Sequence, residues 1–111
     1  KNHLLKHGVS KSHIKEVKVS SLSMNDLLKK YSIIHLDLLM IDAEGYDGEI
    51  VIDFLSINSL RPLIIFEYIH VNHNTFKKLV NLLSIKKYEH IDINENLICF
   101  PSEFNEKHKI F

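Results

Sequence analysis

The feature that most constrains this chain is the run from Ile33 to Ile41, apolar throughout except for His35 and Asp37. No apolar run in the sequence approaches the roughly 18 residues of a membrane span. A run this short reads as a strand buried on both faces, the signature of a parallel sheet. It stops at Asp42-Ala43-Glu44-Gly45. A second apolar run, Leu63 to Phe66, follows Arg61-Pro62 and closes on Glu67; proline is tolerated at a strand start because the missing N–H costs nothing there.

Helical spacing fills the intervals. Met24, Leu27, Leu28 and Tyr31 recur at helical spacing behind the cap candidates Ser21, Ser23 and Asn25. Ile50, Val51, Phe54 and Leu55 form an apolar stripe with Glu49 and Asp53 on the other side, and Phe76, Leu79, Val80 and Leu83 form another with Lys77, Lys78 and Asn81 outward. Val17 and Val19 suggest a short strand ahead of these elements. Tyr88–Ile93 and Leu97–Phe100 read as strands joined by Asn94-Glu95-Asn96, which is good turn chemistry. The order helix, strand, helix, strand, helix, hairpin predicts an α/β fold with a mostly parallel sheet and an antiparallel hairpin at its edge.

Composition sets the outer limits. At 111 residues and 45% hydrophobic, the chain makes one small domain and is not disordered. Lys+Arg (14) balance Asp+Glu (14), which leaves no net basic charge for nucleic acid. Cys99 stands alone, excluding a disulfide scaffold and fitting a reducing compartment. With no signal peptide in the sequence, the expected location is the cytoplasm. The charge is unevenly spread: seven lysines between Lys1 and Lys30 face only Glu16 and Asp26, whereas Asp37 to Leu60 holds no Lys or Arg. The expected organisation is a solvated basic lead-in over 1–16, the α/β domain over 17–104 and a tail over 105–111. The chain begins at Lys1 without an initiator Met, so it is expected to belong to something longer.

In open α/β sheets, ligands bind beyond the carboxyl ends of the strands. That rule selects Asp42 to Gly45 and Glu67 to His73, which share a rim if their strands are neighbours. Asp42 reads either as a helix N-cap or as a reactive carboxylate. Glu44 reads either as a charge suited to a helix start or as part of a site. Gly45 suits a positive φ or a close approach. Glu67 at the end of a buried strand needs a partner, such as Arg61 or a lysine, or a chemical task. The spacing Glu67-x-x-His70-x-x-His73 offers ligand types that suit zinc, but it runs from a strand into a loop rather than along a helix face. The expected metal complement is none. There is no G-x-G-x-x-G, P-loop or G-x-S-x-G elbow, and Cys99 lies in an apolar strand, where a buried inert thiol is expected.

Taken together, Val17-Lys18-Val19-Ser20-Ser21-Leu22, the Asp-Leu-Leu helix after it, and Leu38-Leu39-Met40-Ile41-Asp42-Ala43-Glu44-Gly45-Tyr46-Asp47 resemble FkbM-type methyltransferases. So does Arg61-Pro62-Leu63-Ile64-Ile65-Phe66-Glu67, which is similar to the family's fifth strand. Met40 stands where the family usually has Lys, and Asp47 where it usually has Glu. The resemblance implies the C-terminal half of a Rossmann-like domain and methyl transfer from S-adenosylmethionine to an oxygen of a small molecule or sugar. Asp42, Glu44, Glu67 and His70 would form the acceptor side. Asp42 is the first choice for taking the proton of the acceptor hydroxyl; Glu67 or His70 is the second.

The glycine-rich turn and the second-strand acid that hold the cofactor in such enzymes are missing from this sequence, so the chain alone is not expected to bind S-adenosylmethionine. The alternatives are a non-catalytic remnant or binding module, and a small metal-binding domain built on Glu67, His70 and His73. No membrane partner is expected. Self-association is expected through the sheet edge that a missing neighbour would leave open.

Overall fold

The computed structural model describes Lys18, residues 20–57 and residues 59–108. The expected strand at Val17 and Val19, the lead-in over 1–16 and the last residues of the tail lie outside them. Helix α1 (Met24–Lys30) starts where Ser23 accepts the Asp26 N–H at 3.1 Å, and it ends in Lys29 and Lys30, which complement its dipole. Strand β1 (Leu38–Ile41) leads through a loop to α2 (Asp47–Ile57), which returns the chain to β2 (Leu63–Glu67). Helix α3 (His73–Ile85) is capped by Asn72, whose side chain accepts the Asn74 N–H at 2.8 Å. The hairpin β3 (Tyr88–Ile93) and β4 (Asn96–Pro101) turns at Asn94, held at φ 57°, a left-handed conformation that asparagine tolerates. Helix α4 (Ser102–His108) follows; the sequence reading gave it no helix, and it runs across the expected boundary with the tail.

The fold is α/β, with a four-strand mixed sheet in the order β1-β2-β4-β3. The expectation of a mostly parallel sheet is not met: β1 and β2 form its one parallel pair, and β4 lies antiparallel to both β2 and β3. The reason is topological. The helical crossovers through α2 and α3 leave β1, β2 and β3 running in the same direction, but the hairpin places β4 between β2 and β3, so that second pair never forms.

Helices α1 to α3 cover one face of the sheet. There Leu28, Val51, Phe54, Leu55, Leu79 and Leu83 pack with Ile64, Phe66, Tyr88, Leu97 and Cys99 to make the core. Burial on both faces, expected of the first apolar run, is corrected for β1, where Leu38 is 46% and Met40 66% exposed. These side chains share the second face with Leu63, Ile65, Ile91, Ile93 and Ile98, as the register requires. The cover seen on that side is at β4, where Phe104 of α4 meets the Phe100 ring at 6.2 Å. Among the described residues β1 also has a strand neighbour on one side only.

Candidate functional site

The parallel register decides where the chemistry lies. Ile41 pairs with Phe66, so Asp42 and Glu67 each stand one residue beyond the same rung, at the carboxyl ends of adjacent strands. Strands in a sheet are about 4.8 Å apart, which brings both residues to one rim. They line a cleft of ≈ 570 Å³ with Glu44, Gly45, Asp47 and His70. Every residue expected at the site, Asp42, Glu44, Glu67 and His70, is therefore in it. His73 is not among its lining residues; it begins α3. Among the described residues no group of three or more His, Cys, Asp or Glu side chains could hold a metal ion.

The loop that shapes the cleft is held by a residue the sequence reading passed over. Asp47, the first residue of α2, is 1% exposed. Its Oδ1 accepts the Ala43 N–H at 3.2 Å and the Gly45 N–H at 3.3 Å. Those bonds lock a turn in which Glu44 (φ 48°) and Gly45 (φ 100°) are both left-handed. Asp47 thus braces the turn ahead of α2, and no hydrogen bond to the Asp42 side chain that would make it a cap occurs among the described residues. Asp42 and Glu44 are exposed, and no hydrogen bond or ion pair to either side chain occurs among the described residues, so both carboxylates are available to a ligand. The signal that could have identified Asp47 is an acidic first residue of a helix, placed two residues after a loop glycine.

Glu67 has a partner, but not the one expected. His70 Nε2 lies 3.3 Å from Glu67 Oε1. Arg61, at the other end of β2, binds Glu103 instead, with Nε 2.5 Å from Oε2 and Nη2 2.8 Å from Oε1. It also donates to the carbonyls of Lys86 (2.7 Å) and Lys87 (3.1 Å) and lies over the Tyr88 ring. The guanidinium holds the Glu103 carboxyl down at about 2, against an ordinary value of 4.5. Burial pushes the Cys99 thiol up to about 12, which leaves it protonated and inert at neutral pH.

Two glycines flank the loop for different reasons. Gly45 needs its positive φ, since a Cβ there would have room, 3.8 Å from His70 Cβ. Gly48 needs its lack of a side chain, because a Cβ would come within 2.8 Å of Val71 Cγ1 and 3.0 Å of Thr75 Cγ2. That close approach seats the start of α2 against α3, next to the loop carrying His70. What the described residues bring together is an acidic cleft at the carboxyl ends of β1 and β2.

A search of curated proteins finds no match. The sequence model of the methyltransferase FkbM domain matches residues 1–97, a span that includes the whole cleft. The chain belongs to the FkbM methyltransferase family.

Proposed function

We propose that the chain forms the acceptor side of an enzyme that methylates a hydroxyl of a small molecule or sugar, with S-adenosylmethionine as the methyl donor. The observation that carries this reading is the shared cleft at the ends of β1 and β2, lined by Asp42, Glu44, Asp47, Glu67 and His70. Membership of a methyltransferase family supplies the reaction class, and the carboxylates suggest oxygen as the acceptor atom. A hydroxyl becomes a nucleophile as it gives up its proton, and a positioned carboxylate or imidazole can take it. Asp42 stands at the end of β1 without a competing partner, so it is assigned that task. Glu67 and His70, in contact with each other at 3.3 Å, accept a hydrogen bond from the acceptor and orient it. Glu44 is carried on the turn anchored by Asp47 and borders the same space.

The test is methyl transfer by the natural polypeptide that carries these residues, supplied with S-adenosylmethionine and a hydroxyl-bearing acceptor. Asp42→Asn should lower kcat by about 100-fold, the range of a lost general base, and leave the thermal midpoint unchanged because residue 42 is exposed. Full turnover by that variant would remove Asp42 from the reaction.

A further inference from the structure

The cleft is one-signed. Asp42, Glu44, Asp47 and Glu67 line it, and His70 is its one basic lining residue. The sequence from Asp37 to Leu60 contains no Lys or Arg to offset them. Four carboxylates around one space create a negative potential that favours positive charge. A second observation points the same way. Asp47 is 1% exposed, and its Oδ2 has no hydrogen-bond partner although its Oδ1 has two. A buried carboxylate oxygen without a donor is costly and calls for an explanation.

The form of the missing charge follows from the geometry. The acidic groups do not converge as metal ligands among the described residues, so a single small ion does not satisfy them. A protonated primary amine carries one positive charge and three donors, and a molecule of sugar size fits a cleft of ≈ 570 Å³. A neutral polyol would offer donors but leave the carboxylate charges uncompensated.

We propose that the cleft takes a methyl acceptor bearing a protonated amine near its reacting hydroxyl, an amino sugar or amino alcohol, whose ammonium is held by Asp47 and Glu44. This rests on the reading of the cleft as the acceptor side, and it adds the class of acceptor. The hydroxyl then lies toward the strand-end carboxylates Asp42 and Glu67.

Binding to the chain tests this without any turnover. Glucosamine and glucose, which share a ring and differ in one charged amine, are titrated into the isotope-labelled chain while its amide resonances are followed. Glucosamine should shift the amides of Ala43, Gly45, Glu67 and His70 and bind about tenfold more tightly than glucose, as a few partly exposed ion pairs allow. The preference should weaken at high salt. It should largely vanish in Asp47→Asn and, should that variant fold poorly, in Glu44→Gln, whose side chain is exposed. Asp92→Asn, an exposed change on β3, should keep it. Equal affinity for the two sugars, shifts confined to other surfaces, or a preference that survives Glu44→Gln would overturn the proposal. Amine binding in the cleft without methylation of any acceptor counts against the enzymatic reading alone. Methylation of neutral and amino acceptors at equal efficiency counts against the amine alone.

Discussion

At the residue scale, the site depends on how a few side chains use their lone pairs. Asp42 and Glu67 were legible because each follows a short apolar run and the run itself marks a strand end. Asp47 was not. Set beside the family pattern it looks like a mild replacement of Glu, and only the folded loop places its Oδ1 within reach of the Ala43 and Gly45 amides. The partner of Glu67 follows from the strand itself: Arg61 and Glu67 stand at opposite ends of β2, too far apart to pair, so Arg61 binds Glu103 and Glu67 meets His70. Gly45 gives the prediction that belongs to this scale. Its φ of 100° is disfavoured for any residue with a Cβ, and a Cβ there would make only ordinary contacts, 3.8 Å from His70 Cβ and 3.9 Å from the His70 carbonyl oxygen. Gly45→Ala should therefore destabilise the chain by about 1–2 kcal/mol through backbone strain alone, read as a lowered urea midpoint at constant slope.

Among the elements, α2, α3 and the hairpin follow from periodicity and turn chemistry, and their buried positions match the expected stripes: Val51, Phe54 and Leu55 in α2, Leu79 and Leu83 in α3. Strand order was not available from local pattern. Pairing β4 rather than β3 with β2 is a long-range choice, and it converts a sheet expected to be mostly parallel into a mixed one. Helix α4 escaped notice because Ser102–His108 is mostly polar and buries none of its residues completely.

The Arg61 cluster joins three of these elements, tying the approach to β2 to the end of α3 and to α4. Its pH dependence has a definite sign. Glu103 is held at about 2 in the fold against 4.5, so its contribution is complete above 4.5 and is lost as pH falls from there toward 2. The pair is exposed and screened, so the amount is below about 1 kcal/mol. Glu103→Gln should lower the thermal midpoint slightly at pH 7, and the gap from the unaltered chain should close as pH drops through that window. A gap that stays constant from pH 7 to pH 2 would mean that the ion pair contributes nothing.

On the scale of the whole molecule, the two faces of the sheet are unequal. One carries the core under α1 to α3; the other exposes Met40, Leu38 and Ile93 around the half-buried Leu63, Ile65, Ile91 and Ile98, beside a β1 edge with no strand neighbour among the described residues. An apolar edge of this kind invites pairing, and a chain of zero formal net charge has little repulsion to prevent it. The isolated chain is therefore predicted to self-associate through this face. Sedimentation equilibrium should give a mass above that of one chain, and Met40→Lys should shift it toward the monomer. A monodisperse monomer at high concentration would contradict this.

Among the described residues, both parallel strands bring a carboxylate, Asp42 and Glu67, to the acidic cleft. Whether Asp42 and Glu67 act on one bound acceptor is most directly measured by a double-mutant cycle on kcat/KM for methyl transfer, using Asp42→Asn, Glu67→Gln and the pair. Two groups working on the same molecule should be coupled, the double variant losing less than the product of the single losses by about fivefold or more. Losses that multiply independently, or single variants with unchanged kcat/KM, would show that the two carboxylates do not share a substrate.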